Sequence, residues 1–465
     1  MKRNLFYVGL LTFSAGIWTL GSALSAVSTQ NDPVTLTLQD LSNFKDPGKS
    51  WQIVGDVRAD ISKDQTIIPS SGLGVLVNNP SKKNQGTDLF TTSEFGDVEV
   101  QLDFLTPKGG NSGIYLQGRY EVQIADSWNA EQITSASNGG IYNLTPPRVN
   151  ASKAPGLWQN LKIAFRAPRF DNSGKKTENA RLLRVELNGV TIQENVELFA
   201  PTPGAVSTTE IAKAPVRIQG DHGSVAFRNI RFSELNADRY AIDRGNARDP
   251  ILVESPSITV LRSFLNLDDQ VKVVHAVSVG SPKDIHYSYD MDHGNIVQVW
   301  RGGFLDATPM WDGRGNGTSV PMGAVQRFGK PAVSVAKLTD QSAAWPSDTT
   351  GTQFRQKGYR VDVNGNPTFN YLMYGTKIED VTEVRSDAKG INRTVSAEDS
   401  NGLYFLLARS SKIEDTGKGT YVIGDKAYYL EVSDMKNNKA FIRDNNGQKE
   451  LVAPLNGKIS YSILF

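Results

Sequence analysis

In GIYLQGRYEVQIAD (residues 113–126) the side chains able to do chemistry fall in one row. Tyr115, Gln117, Arg119, Glu121 and Gln123 share a parity, and Ile114, Leu116, Gly118, Tyr120, Val122 and Ile124 share the other. A strand sends alternate side chains to opposite faces, so the apolar parity predicts a packed face and the polar parity an outward one. A merely solvated face tends to be Thr, Ser and Lys, whereas this one offers an acid, a guanidinium, two amides and a phenol. Amides and arginine make paired hydrogen bonds with hydroxyl groups, and an aromatic face stacks on the apolar side of a ring. The row therefore suits a hydroxyl-rich ligand or, equally, a satisfied structural polar face.

Two other segments repeat the habit. In DVEVQLDF, Glu99, Gln101 and Asp103 alternate with Val98, Val100, Leu102 and Phe104, and in VRIQGDHG, Arg217, Gln219 and Asp221 share a parity, with His222 following in a glycine-bounded turn. If these strands adjoin 113–124, one sheet carries a polar, ring-bearing concave surface with carboxylates and one imidazole.

The elements that must position such a surface are strands. From about residue 34 onward short alternating runs are broken by Gly, Pro, Asn and Asp, and almost nothing carries a period of 3.6. Strands are predicted at 97–105, 113–124, 158–167, 181–193, 214–221 and 224–235, with a tight hairpin at Asn188-Gly189. The polar segment 236–250 marks a domain boundary. A second series follows at 271–279, 285–291, 295–302, 359–374, 403–410 and 427–434, with another hairpin at NGNP. The fold class is all-β, and two stacked sandwiches are the economical architecture.

Bulk composition narrows the partners. The 465 residues carry 50 basic and 49 acidic side chains, which leaves no electrostatic footprint for nucleic acid or an anionic membrane and favours a neutral substrate. There is no cysteine, so disulfides and thiol nucleophiles are excluded. Residues 1–26, with Lys2 and Arg3 ahead of an apolar run and small residues at Ala23, Ser25 and Ala26, have the pattern of a secretory signal peptide; an uncleaved anchor is the alternative. Export to a bacterial periplasm or cell surface is the resulting expectation.

GGNSGIYLQGRYEVQIADSW, then GGIYNLTPPRVNASKAPGLWQNLKIAFRAPRFDNSGKK, then VRIQGDHGSVAFRNIRF resemble, in order, the signature stretches of the 3-keto-disaccharide hydrolase domain family. The resemblance covers residues 34–235 and implies a concanavalin-like, laminarinase-related jelly roll. It implies attack on a glycoside whose sugar bears a ketone at C3: a base takes the acidified C2 proton, the C1 aglycone leaves by β-elimination, and water adds to the enone. On this basis Glu121 is the candidate base, Arg119 binds an enolate or hydroxyl, and Tyr115, Gln117, Gln123, Asn111 and Gln219 bind the sugar. Asp126 either joins them or caps the following turn. His222 is a general acid or base, a ligand with Asp221 for a divalent cation, or a surface turn residue. Laminarinase relatives carry Glu-x-Asp-x-x-Glu; here Glu121 to Asp126 lacks the central Asp and the final Glu, which disfavours a retaining glucanase.

Residues 251–465 show no comparable pattern. Trp300, Phe304 and Trp311 form either a sugar-stacking surface or, more commonly, aromatics buried under a loop, and His275, His286 and His293 lack haem or zinc spacing. This half reads as a β-rich accessory or binding module. The rivals to the enzyme reading are a non-catalytic carbohydrate-binding protein and an ordinary endo-glucanase-like hydrolase.

Overall fold

The computed structural model describes residues 33–240, 249–268, 271–311, 317–433, 436 and 438–465. The signal-peptide reading of residues 1–26 lies outside them, as does the middle of the 236–250 segment. The described residues from Pro33 to Phe465 belong to one packed unit.

Eleven main strands build its first half: Trp51–Ala59 (β1), Ile67–Asn78 (β2), Leu89–Phe95 (β3), Val98–Leu105 (β4), Asn111–Leu116 (β5), Tyr120–Ala125 (β6), Gln159–Arg166 (β7), Ala180–Leu187 (β8), Val190–Leu198 (β9), Ala214–Ile218 (β10) and Val225–Glu234 (β11). One antiparallel sheet runs β9-β8-β7-β4-β11-β2-β1, and Val34–Thr35 pairs with β11. The other runs Phe44–Lys45, β3, β10, β5, β6. Val98, Val100, Leu102 and Phe104 of the first sheet share one core with Ile114, Leu116, Tyr120, Val122 and Ile124 of the second. The two sheets are thus a sandwich, and the apolar parity of 113–124 is its packed face. Burial of each such side chain contributes about 1.5–3 kcal/mol.

Two expectations need correction. Residues 113–124 are not one strand but a hairpin: Leu116 pairs with Tyr120, and Gln117 (φ 55°) and Gly118 (φ 64°) take the left-handed conformation of the turn. The turn keeps the parity, because Tyr115 lies opposite Glu121 and Gly113 opposite Gln123. Nor do all three polar rows share a sheet. β10 pairs with β5, but β4, with Glu99, Gln101 and Asp103, lies in the opposite sheet. There Asp103 accepts hydrogen bonds from Asn160, Asn229 and Arg228.

The second half is also nearly all β, with three antiparallel sheets of six, four and eight strands around a large common core. Arg393 is sealed inside it, donating to Asp380, Asn295, Tyr461 and the Gly294 carbonyl. Trp300 and Phe304 are buried and stacked in parallel, whereas Trp311 is exposed. His286 packs against both rings with its two ring nitrogens bonded to backbone, and burial lowers its pKa to about 4. Among the described residues no helix is long and apolar enough to cross a membrane.

The halves pack closely. Trp128, Ala154 and Leu157 of the sandwich meet Val422, Tyr429 and Leu464 in one apolar cluster. The Trp128 indole donates to the Phe465 carbonyl (2.7 Å), and the Tyr429 hydroxyl donates to the Pro155 carbonyl (2.9 Å). The buried Lys426 ammonium donates to both oxygens of Asp56 (2.7 and 2.9 Å). Burial pushes Asp56 up, but Lys426, the Val57 amide and Lys412 together outweigh it and hold the carboxyl below the usual carboxylate range.

Candidate active site

The second sheet's register assembles a row across its outer face. Arg217 on β10 lies opposite Tyr115 on β5, which lies opposite Glu121 on β6. Beyond β6, Ile141 bridges to Val122 on the core side, so Tyr142 follows on the outer side, its amide donating to the Glu121 carbonyl. The order across the sheet is therefore Tyr142, Glu121, Tyr115, Arg217.

Glu121 is the centre of this row. It is 2% exposed, and burial pushes its carboxyl up to about 7, against the opposing pull of a hydrogen bond from the Tyr115 phenol and the charges of Arg217 and His222; Asp221 adds to the rise. The carboxylate lies over Gly113, where a β-carbon would come within 2.3 Å of Oε1, so the absence of a side chain makes its berth. Burial and the bond to Glu121 likewise raise the Tyr115 phenol far above its ordinary value. Arg217 stacks its guanidinium on the Tyr115 ring, 3.5 Å from the centroid, and donates to the Gly204 carbonyl (2.8 Å). Asp88 lies 3.4 Å from it. The buried Arg217 Nε has no hydrogen-bond partner in the protein.

Of the residues read from the sequence, Tyr115, Glu121, Gln123 and Asn111 come together on this face, and the Gln123 amide donates to Asn111 Oδ1 (2.6 Å). Gln219 adjoins them, its backbone amide donating to the Gly113 carbonyl. His222 and Asp221 are half exposed and bonded to each other, and both act on Glu121 through charge. The remaining three are engaged elsewhere. Arg119 sits at the hairpin turn, donating to the carbonyls of Thr209 and Gln117. Gln117 donates to the carbonyls of Phe95 and Ala212. Asp126 accepts from the amides of Gly109 and Trp128, which is the turn-capping alternative.

As a cation site, Asp221 and His222 supply two donors. Among the described residues no grouping of three or more His or carboxylate side chains could hold a metal ion, so the donor set falls short of a closed site.

The arrangement also includes residues to which the sequence reading gave no role. Arg217, noted in the VRIQGD row without a role, stacks on Tyr115 next to Glu121, whereas Arg119, read as the enolate- or hydroxyl-binding group, lies at the hairpin turn. Thr202 and Gly204 come from a loop without any periodic pattern. The Glu121 amide donates to Thr202 Oγ1 (3.0 Å), and Gly204 packs on the Tyr115 hydroxyl.

The row thus sets a buried carboxylate with a raised proton affinity beside a phenol and a guanidinium on the outer face of a β sandwich. Residues 38–233 match the model of the 3-keto-alpha-glucoside-1,2-lyase-like domain. The chain matches no curated protein. Among solved structures it is similar to a Parabacteroides distasonis protein provisionally described as a glycosyl hydrolase, at 27% identity and TM-score 0.34, over 44% of this chain and 84% of that one. A second protein of that organism, with the same provisional description, is 21% identical with TM-score 0.30, over 44% of this chain and all of the other. The botulinum neurotoxin serotype D binding domain aligns over 89% of this chain and 91% of its own at 8% identity and TM-score 0.23.

Proposed function

We propose that the sandwich cleaves 3-keto-glycosides, with Glu121 as the base. The observation that carries this reading is the buried Glu121 carboxylate, raised to about 7 and held over Gly113 between Tyr115 and the rest of the row. A base works best when its proton affinity lies near the operating pH. A ketone at C3 acidifies the hydrogen on C2. Glu121 removes that proton, and the electron pair passes to the C3 oxygen as an enolate. The Tyr115 phenol, with the Arg217 charge stacked on its ring, is the donor we assign to stabilise it. The enolate collapses to the C1–C2 alkene with departure of the C1 oxygen, which takes up a proton from the now protonated Glu121 or from solvent. Addition of water across the enone completes a net hydrolysis. One base suffices, in keeping with a row that lacks the two opposed carboxylates of an ordinary glycosidase. On the pattern of residues 1–26 we place the reaction outside the cytoplasm.

The test is aglycone release from a glycoside and its 3-keto derivative, with and without divalent metal. Only the 3-keto compound should react, with kcat/KM rising with pH through an apparent pKa near 7, since the base acts deprotonated. Glu121→Gln should lose about 10²–10⁴-fold in kcat while still binding substrate. No release from any 3-keto-glycoside, or full activity in Glu121→Gln, would overturn the reading.

A further inference from the structure

Beside the polar row lies a cleft of about 500 Å³ between residues 142–144 and the loop 199–208. Its walls differ in kind from the row itself. Tyr142, Leu144, Phe199, Pro201 and Pro203 supply them, and no charged side chain lines the cleft among the described residues. Phe199 is 68% exposed, Leu144 47% and Tyr142 37%. Large apolar side chains grouped on a rim and left to water mark a surface that something apolar covers.

The position of the cleft says what that is. Its floor residues are the ones that touch the site: Thr202 accepts from the Glu121 amide, and Gly204 accepts from Arg217 and packs on the Tyr115 hydroxyl. The cleft therefore adjoins the site through Thr202 and Gly204, on a side where a group leaving from the sugar carbon next to the one that Glu121 deprotonates can enter. A second sugar there would need partners for several hydroxyls, and only Asn143, Thr202, Thr208 and the Tyr142 phenol offer polar side-chain atoms. A flat aromatic ring needs none and can lie against Tyr142, Phe199 and the two prolines. We infer that the cleft receives the leaving group and that the preferred substrates carry an aromatic aglycone. This rests on the 3-keto-glycoside reading for the sugar's placement, but the cleft's own preference can be measured apart from turnover.

The test compares 3-keto derivatives of phenyl glucoside and of a glucosyl-glucose disaccharide on the full chain and on Phe199→Ala, an exposed position at which circular dichroism should show the parent fold. The phenyl compound should show about tenfold higher kcat/KM, and Phe199→Ala should remove about that factor from it while changing the disaccharide less than about twofold. Equal rates on the two substrates, or an equal loss on both in the variant, would overturn the inference. If neither substrate reacts, the function reading fails, and equilibrium binding of 4-nitrophenyl glucoside decides the cleft. Binding tighter than that of the disaccharide and weakened by Phe199→Ala upholds the aromatic preference, and its absence sinks it.

Discussion

Glu121 and the empty space over Gly113 act as one device. Placing a methyl group at Gly113 forces the carboxylate out of its berth, since the new carbon would sit 2.3 Å from Oε1 in a row where the neighbouring Tyr115 is fixed by Arg217. Gly113→Ala should therefore lower kcat by at least about tenfold while leaving thermal stability within about 1–2 kcal/mol of the parent, read from steady-state kinetics and calorimetry. Glu121 also leaves a signature in stability. Its native pKa of about 7 lies above the ordinary 4.5, so between those values the folded chain holds a proton that the unfolded chain has released. Stability from this group is full below about pH 4.5 and is lost as pH rises through 7. Denaturation midpoints should show that decline in the parent and a flatter profile in Glu121→Gln.

At the scale of elements, the β5–β6 hairpin carries the site, and the loop 199–208 closes over it. The Gly118 carbonyl accepts from Val206, the Arg119 carbonyl accepts from Thr202, and a β-carbon on Gly118 would meet Val206 at 3.1 Å on a residue with φ of 64°. Gly118→Ala should cost about 1–2 kcal/mol in urea unfolding and, by shifting the loop, raise KM more than it lowers kcat. The strands themselves were legible: alternation located β4, β7, β10 and β11, and Asn188-Gly189 marked the β8–β9 turn, because local chemistry decides those features. The parity of Tyr115, Glu121 and Gln123 survived even though the strand proved to be two, since the turn returns partners to the same face. Pairing between distant strands was not legible. Nothing in VRIQGD says that it lies beside 111–116 while VEVQLDF joins the other sheet, so the nearness of Arg217 to Tyr115 was not legible, nor the turn contacts of Arg119. The strands at 51–59 and 67–78 were hidden for a local reason: Pro69, Gly72 and Gly74 interrupt the alternation of β2, and β1 shifts register against it between Val54 and Asp56.

For the molecule as a whole, the sandwich and the second half are joined by both apolar and ionic contacts, and the ionic part is testable. Lys426→Met should weaken stability by about 1–2 kcal/mol, a modest figure because Asp56 keeps contact with water and with Lys412. The loss should appear as a broadened or two-step urea transition, whereas a single transition of unchanged midpoint would mean that the pair does not couple the halves. Gly156, at φ 83° beneath the Tyr429 hydroxyl, shows how closely the surfaces are fitted: a β-carbon there would lie 2.3 Å from that oxygen. The same junction carries its own optical label. The Trp128 ring is 4% exposed, with its N–H held by the Phe465 carbonyl and the Lys389 ammonium 5.5 Å over its face. Separation of the halves would hand this indole to water and shift its emission to longer wavelength, so a difference spectrum against Trp128→Phe reports, without any added dye, when the two halves come apart.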